Sequence, residues 1–405
     1  MKRIEIVRQW MAEGIILHPL ERTPNSIDLI RTLATLCGYR EFKETHWIKS
    51  LKRDLLARSD RGRKPEHYLF ILIDGLGMNL SPHFPPGGFF ATYFSRELRA
   101  VFPSTTACAV TSLVTGEWPG IHGLTGWFTY LPDRERTVLV LPFVERTTEK
   151  PLGELNITMS SILSARSLFP QLEREVCTFF PQHLKRGEYS RWAYGDSQAV
   201  GYRTISSGLA AAADYIRERE GPSFSFFYIP DTDTAQHEQG TAGARVKRLI
   251  RNLDAALLDL RARLGDDACM VVSADHGLVD VPPERQFRIS SDDPLLRYLV
   301  APPAGEAAMP VFHVRPGLEK KFEEFFTSSY GALMQLVSIS DAEALGLFGA
   351  DGISPVMRSR LGNFIGIASE PVALEYLASG QKPKNHLAFH GGLQPDVMRV
   401  PLFLA

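Results

Sequence analysis

The most constraining stretch is Tyr68-Leu-Phe-Ile-Leu-Ile73, six apolar residues in a row that stop at Asp74-Gly-Leu-Gly77. A strand with one wet face alternates apolar and polar residues, so an unbroken run of this length predicts a strand covered on both faces, as in a parallel sheet. The pattern recurs. Phe224-Ser-Phe-Phe-Tyr-Ile229 runs into Pro230-Asp-Thr-Asp-Thr-Ala-Gln-His-Glu-Gln-Gly240, which reads as a polar loop, and Met270-Val-Val-Ser273 runs into Ala274-Asp-His-Gly277. Between them, Ile205, Leu209, Ala212, Ala213 and Ile216 recur at helical spacing, as do Val246, Leu249, Leu253, Leu257 and Leu264. Strands alternating with amphipathic helices predict an α/β fold with a doubly wound, mostly parallel sheet flanked by helices. Ligands in such sheets bind beyond the carboxyl ends of the strands.

Residues 1–64 read as a helical lead-in packed on the core. Asn25-Ser26 caps a helix through Leu36, and Trp47, Ile48, Leu51, Leu55 and Leu56 form a second apolar stripe. The polar stretch Ser59-Asp-Arg-Gly-Arg-Lys-Pro65 marks a boundary, and 65–405 reads as one catalytic domain. Segments 129–200 and 282–385 interrupt the strand–helix repeat and are expected to be inserts that roof a site. A formal net charge of −1 leaves no basic footprint, so stable nucleic-acid binding is not expected. The four cysteines, Cys37, Cys108, Cys177 and Cys269, are far apart and show no Cys-x-x-Cys spacing, so neither a thiolate zinc site nor a disulfide framework is indicated and reduced, mostly buried thiols are expected. The first ten residues are interrupted by Glu5 and Arg8 where a signal peptide needs an apolar run, and no segment is apolar for long enough to span a bilayer. A cytoplasmic protein without a membrane partner is expected.

Chemistry-bearing residues gather behind the strands. Leu98 to Phe102 reads as a strand end, and Ala107 to Val114 as a short buried helix stopped by Gly116, which puts Ser104, Thr105 and Thr106 on the turn between them. Backbone N–H groups at a helix start favour negative charge, so a hydroxyl there faces an anion site; capping of the helix is the plainer role. Asp74, Asp233, His237, Asp275, His276 and His390 each lie in a polar loop next to a predicted strand. Three carboxylates, three imidazoles and a hydroxyl suffice for two divalent cations in a mixed N/O setting suited to zinc. Taken singly, Asp74-Gly75 is also a turn dipeptide and each His also a surface or core residue. His122 and His386 stand in reserve as further candidates, while His18, His46, His67, His83, His183 and His313 read as structural or exposed.

Together these pieces resemble the alkaline phosphatase superfamily, specifically its nucleotide pyrophosphatase/phosphodiesterase branch and the related bacterial alkaline phosphatase family proteins. The resemblance is carried by Ile73-Asp-Gly-Leu-Gly77, by Phe102-Pro-Ser-Thr-Thr106 with Leu113-Val-Thr-Gly116 and His122-Gly123, and by Asp233-x-x-x-His237-x-x-Gly240, Asp275-His-Gly277 and His390-Gly-Gly-Leu393. It implies one zinc held by Asp233, His237 and His390, and a second held by Asp74, Asp275, His276 and the Thr106 oxygen, with manganese as the other metal to consider. It selects Asp233 over Asp231 by the spacing to His237, and Thr106 over its neighbours by counting back from Thr115-Gly116. A threonine hydroxyl needs a base or a metal to attack at neutral pH, and the ligand set implies that help, with a phosphothreonine intermediate. The implied activity is hydrolysis of phosphoric esters, diesters or pyrophosphates rather than monoesters. The alternatives are a phosphomonoesterase or phosphomutase of the same superfamily, or a non-catalytic binding protein of this fold. Trp127 stands where the phosphodiesterases carry an Asn that binds a phosphoryl oxygen, which opens the question of substrate. Trp127 and Tyr189, with Phe128, Tyr130 and Trp192 nearby in the roof segments, would contact a small phosphorylated substrate, a nucleotide among the candidates, or else pack a lid.

Overall fold

The computed structural model describes residues 3–21, 23–57 and 64–405. Its core is a seven-stranded sheet in the order Phe94–Arg99, Arg399–Leu404, Ala268–Ser273, His67–Ile73, Ser223–Ile229, Glu175–Pro181 and Gln198–Tyr202. The strand His67–Ile73, which contains the unbroken apolar run, is buried at every position and pairs in parallel with Ser223–Ile229 on one side and Ala268–Ser273 on the other. Arg399–Leu404 is antiparallel to both of its neighbours, so the sheet is mostly parallel. Helices flank it, among them Ile205–Glu218 and Ala244–Arg263, which touch each other, and Ser26–Leu36, which touches Thr106–Thr115. Side chains such as Phe70, Phe226 and Phe227 are fully buried between these layers. Burying a side chain of this kind stabilises the fold by about 1.5–3 kcal/mol.

The segment expected as one insert over 129–200 divides. Its second half supplies Glu175–Pro181 and Gln198–Tyr202, two parallel strands of the central sheet. Val176 to Pro181 is buried throughout, so Val-Cys-Thr-Phe-Phe-Pro is a core strand that the surrounding turns and aromatics obscure. The first half forms the strands Phe128–Leu131, Arg136–Leu139 and Val144–Glu145, which join Ala304–Glu306, Met309–Phe312, Gln335–Ser338 and Phe364–Ile367 in a second, antiparallel seven-stranded sheet. The two roof segments therefore meet edge to edge, with Gly305 paired to Phe128. Phe312, Phe322, Phe326 and Phe364 give that region a small core of its own.

Before the core, Asn25 and Asp28 cap Ser26–Leu36 reciprocally: the Asn25 Oδ1 accepts from the Asp28 N–H at 2.9 Å, and the Asp28 Oδ2 from the Asn25 N–H at 3.1 Å. From the same helix, Arg31 Nε donates to the Gly116 carbonyl at 2.7 Å, fixing the far end of Thr106–Thr115. The boundary expected at Ser59 to Pro65 falls mostly on residues 58–63, outside the described residues. Among the described residues no helix is long and apolar enough to cross a membrane.

Candidate active site and its metal ligands

The strand expected to reach Phe102 ends at Arg99, and the following turn delivers three hydroxyls to three different places. Ser104 Oγ donates to the Gly392 carbonyl at 2.6 Å, while the Ser104 carbonyl accepts from the Gly391 N–H at 2.8 Å, so this residue clamps the turn to the loop after His390. Thr105 is the N-cap residue in extended conformation; its buried hydroxyl caps nothing on the helix and has the Glu306 carboxyl as its one polar neighbour, at too loose a geometry for a full hydrogen bond. Thr106 opens the helix, and its Oγ1 lies 3.4 and 3.3 Å from the two oxygens of Asp74 and 3.1 Å from His276 Nε2.

Asp74, at the end of the central strand, also accepts from the Tyr228 hydroxyl at 2.5 Å. Asp275 Oδ1 accepts from the N–H groups of Gly75 at 3.1 Å and His276 at 2.9 Å, leaving Oδ2 without a partner. The His276 Nδ1 lies 3.2 Å from the Gly277 carbonyl, which can only accept, so the tautomer with its proton on Nδ1 fits this contact and turns Nε2 toward the carboxylates. That Nε2 is 3.6 Å from Asp74 and 3.4 Å from the free Oδ2 of Asp275.

The stretch from Pro230 to Gly240, read as a loop, is largely the helix Asp231–Gln239. It has almost no apolar stripe to announce it; its sides are polar because two of them face the site. One turn apart, Asp233 Oδ1 and His237 Nε2 are 3.3 Å from each other, and the His237 Nδ1–H donates to the Ala388 carbonyl at 2.7 Å. His390 Nε2 lies 3.8 Å from the same Asp233 oxygen. Potential ligand atoms of Asp74, Asp275 and His276 lie within 4.8 Å of one another, and so do those of Asp233, His276 and His390, so His276 stands between the two groups. Of the reserve histidines, His386 stacks near His237 with ring centroids 4.3 Å apart, whereas His122 is buried elsewhere, 3.1 Å from Ser112 Oγ and accepting from the Leu124 N–H.

Burial pushes the Asp74 carboxyl well above the ordinary range, and the charges of Asp275 and Asp233 push it the same way. Burial would also raise Asp233, but His237, hydrogen-bonded to it, outweighs that and holds it below the usual carboxylate range. His237 is raised in return against its own burial. Burial and the neighbouring His276 push His390 down, which keeps its imidazole neutral, the form that binds a metal. Two buried polar atoms here, Asp275 Oδ2 and His390 Nδ1, have no hydrogen-bond partner in the protein, and Asp233 Oδ1 has only its contacts with the imidazoles of His237 and His390. Orphaned carboxylate oxygens beside lone-pair imidazole nitrogens fit divalent cations with a preference for N and O donors, as zinc and manganese have.

A cavity of about 770 Å³ opens on this cluster, and Thr106, Trp127, Asp233, His237, Glu306 and His390 share its wall. Trp127 lines the cavity; Tyr189 does not, being 5% exposed with its hydroxyl 2.9 Å from Thr111 Oγ1. Glu306 is the residue that sequence reasoning missed. It ends the three-residue strand Ala304–Glu306, with no motif or periodicity around it, and only the pairing of the two roof segments brings it here. Its Oε1 accepts from the Trp127 N–H at 2.5 Å, and burial pushes its carboxyl up to about 7, against the pull of Thr105 and the Trp127 N–H.

A mostly parallel sheet whose strand ends converge on a threonine at a helix start and on two clusters of carboxylates and imidazoles defines the alkaline phosphatase-like class of phosphoryl-transfer enzymes. Within it, the chain belongs to the type I phosphodiesterase / nucleotide pyrophosphatase family, whose profile matches residues 68–392, and it is a phosphoric ester hydrolase. Human ectonucleotide pyrophosphatase/phosphodiesterase 5 superposes with a TM-score of 0.62 at 17% identity, over 83% of this chain and 87% of that one. The murine protein gives 0.61 at 15% identity over the same shares, and an inactive variant of it has been solved in complex with AMP. Phosphonoacetate hydrolase from Sinorhizobium meliloti 1021, in complex with phosphonoformate, gives 0.60 at 17% identity over 85% of this chain and 92% of that one. A comparison with curated proteins finds no match.

Glu306 makes stability depend on pH with a defined sign. Its folded value is raised, so between about pH 4.5 and 7 the folded protein holds a proton that the unfolded chain has released, and stability falls as pH rises through that window. With chelator present throughout, Glu306→Gln should gain on the wild type by roughly 1–3 kcal/mol from the low to the high side of the window, the upper figure applying if the cavity screens little. Denaturant melts at both ends measure it, and a difference that stays constant with pH would refute it.

Proposed function

We propose that the protein hydrolyses phosphodiesters or pyrophosphates with Thr106 as the attacking nucleophile. The observation that carries this reading is the position of the Thr106 hydroxyl within 3.4 Å of both Asp74 oxygens and of His276, while Ser104 is spent on a backbone clamp. Asp233, His237 and His390 would hold one divalent ion and Asp74, Asp275, His276 and the Thr106 oxygen the other, zinc by the donor set; such ions supply positive charge against phosphoryl oxygens and favour the ionised hydroxyl. The Thr106 proton has two acceptors in reach, the Asp74 carboxylate and His276 Nε2. No side chain caps the helix that Thr106 opens, so its first N–H groups, with the positive end of the helix dipole, face the equatorial phosphoryl oxygens. Attack forms the Thr106 Oγ1–P bond and releases the alcohol or phosphate, and water then cleaves the phosphothreonine. Trp127 and Phe128 offer apolar faces to the departing group. AMP in the murine neighbour supports a nucleotide, and phosphonoacetate hydrolase supports adding a phosphonate to any screen. The buried free cysteines support a cytoplasmic setting.

Elemental analysis of the purified, metal-supplied protein should give close to two divalent ions per chain, and Asp233→Ala or His390→Ala should lower that to about one. A wild-type protein without any transition metal after zinc or manganese is supplied would sink the two-ion reading.

Thr106→Ala should cut turnover by several orders of magnitude, Thr106→Ser should keep measurable activity, and Thr105→Ala should cost far less, on the scale of one hydrogen bond or about 1 kcal/mol. A trapped phosphoryl group mapped by mass to Ser104 or Thr105 would contradict the assignment.

In a screen of bis-p-nitrophenyl phosphate, p-nitrophenyl phosphate, a dinucleotide, phosphonoacetate and p-nitrophenyl sulfate, diester or pyrophosphate turnover should lead and sulfate turnover should be negligible. A monoester kcat/KM higher by about ten-fold, or roughly 1.4 kcal/mol in transition-state stabilisation, would move the protein to the monoesterase alternative.

A further inference from the structure

We propose that Glu306 is a specificity-determining residue whose carboxylate sets the charge of the phosphoryl group that the site accepts, favouring a singly charged diester over a doubly charged monoester. The inference deepens the ester-hydrolase reading above and rests on it. Glu306 is held at the cavity wall by close packing of backbone on two sides. Gly126 has φ +147°, and a Cβ there would lie 2.6 Å from the Gly305 carbonyl carbon; Gly391 has φ +100°, and a Cβ there would lie 2.6 Å from the Glu306 Cβ. Two missing side chains thus let the strand bearing Glu306 press against the Trp127 segment and against the loop that follows His390.

The charges that act on this carboxylate are those of His237, which favours its ionised form, and Asp233, which opposes it. Among the described residues no Lys or Arg forms an ion pair with Glu306, whereas other partly buried carboxylates find one: Glu97 pairs with Arg399 and Asp54 with Arg96. Arg146 lines the same cavity, but its guanidinium donates to the carbonyls of Pro303 at 2.7 Å and Tyr376 at 2.9 Å and lies 3.8 Å above the Phe128 ring. Lys382 and Lys384 also line the cavity and are exposed. A partly buried, unpaired carboxylate in the wall that holds Thr106 and His390 repels each added negative charge on the substrate, and in a low-dielectric cavity that repulsion is screened far less than in water. A monoester above neutrality presents one more negative charge at phosphorus than a diester, so it bears the larger penalty.

A purely structural Glu306 would serve only to accept the Trp127 N–H, and Glu306→Gln keeps that acceptor while deleting the charge. The test compares wild type and Glu306→Gln as holoenzymes of measured metal content at a pH above neutrality. It reads kcat/KM for bis-p-nitrophenyl phosphate and p-nitrophenyl phosphate, and the affinities of inorganic phosphate and dimethyl phosphate by calorimetry. In Glu306→Gln the monoester should gain on the diester by ten-fold or more, and inorganic phosphate should gain on dimethyl phosphate by a similar factor. Unchanged ratios at unchanged metal content would overturn the proposal and leave Glu306 as a clamp for Trp127. If Glu306→Gln fails to fold or to hold metal, Glu306→Ser, which deletes the charge and leaves room for a water at the Trp127 N–H, takes its place: the same gains support the proposal and unchanged ratios overturn it. If the metal-loaded wild type turns over neither ester, the ester-hydrolase reading fails, while the calorimetric ratio still decides for or against charge selection at Glu306.

Discussion

Three carboxylates cannot share one buried space as bare charges, and the arrangement of this protein follows from that constraint. Besides burial, the charges of Asp275 and Asp233 raise the cost of ionising Asp74, and the protein answers with partners of fixed direction. Asp275 takes two backbone N–H groups, Asp74 takes the Tyr228 hydroxyl, and Asp233 takes His237. What these partners leave over are oxygens and imidazole nitrogens aimed at one another. Such a set is stable when positive charge enters it, which is why the cluster reads as a ligand set rather than as a hydrogen-bond network.

Holding such a cluster requires a scaffold that does not yield to repulsion. The residues of the cluster come from five stretches of the chain, at Asp74, Thr106, Asp233 with His237, Asp275 with His276, and His390, in segments that follow strands of the central sheet and the short strand Ala388–Phe389. The parallel strands behind Asp74 and Asp275 are in register over their length, so these turns cannot drift apart without breaking ladder hydrogen bonds in the core. The remaining freedom is removed locally. Ser104 ties the Thr106 turn to the His390 loop through two hydrogen bonds, and Arg31 secures the other end of the Thr106 helix from a segment that precedes the core.

What was legible in the sequence tracks how the signal is generated. Asp74 and the Asp275-His276 pair end unbroken apolar runs, and an apolar run is a direct statement of burial, so strand and site were readable together. The helix carrying Asp233 and His237 was not, because a helix that turns polar side chains toward a site has no apolar stripe, and its sequence looks like a loop. Glu175–Pro181 was hidden for a different reason: it is a core strand set among turns and aromatics, where the repeat of strand and helix loses its rhythm. Glu306 left no local signal. Its place depends on a bridge between Gly305 and Phe128, residues far apart in the chain, and a lone Glu after a glycine carries no information about that partner.

The two kinds of carboxylate in the cavity belong to different parts of the fold, and this separation has a chemical consequence. Asp74, Asp233 and Asp275 stand on or beside the ends of central-sheet strands, each beside an imidazole that shares its environment. Glu306 stands on the antiparallel sheet, at the seam where the two roof segments join, held by the Trp127 N–H with the Thr105 hydroxyl beside it. On the proposal made for Glu306, a substitution at the seam would change the field at phosphorus without touching an atom of the carboxylate–imidazole clusters, whereas a substitution in the clusters would alter charge and geometry together. Under the function proposed above, the chemistry of attack belongs to the central sheet, and the choice of what is attacked to a wall built from Trp127, Phe128 and Glu306.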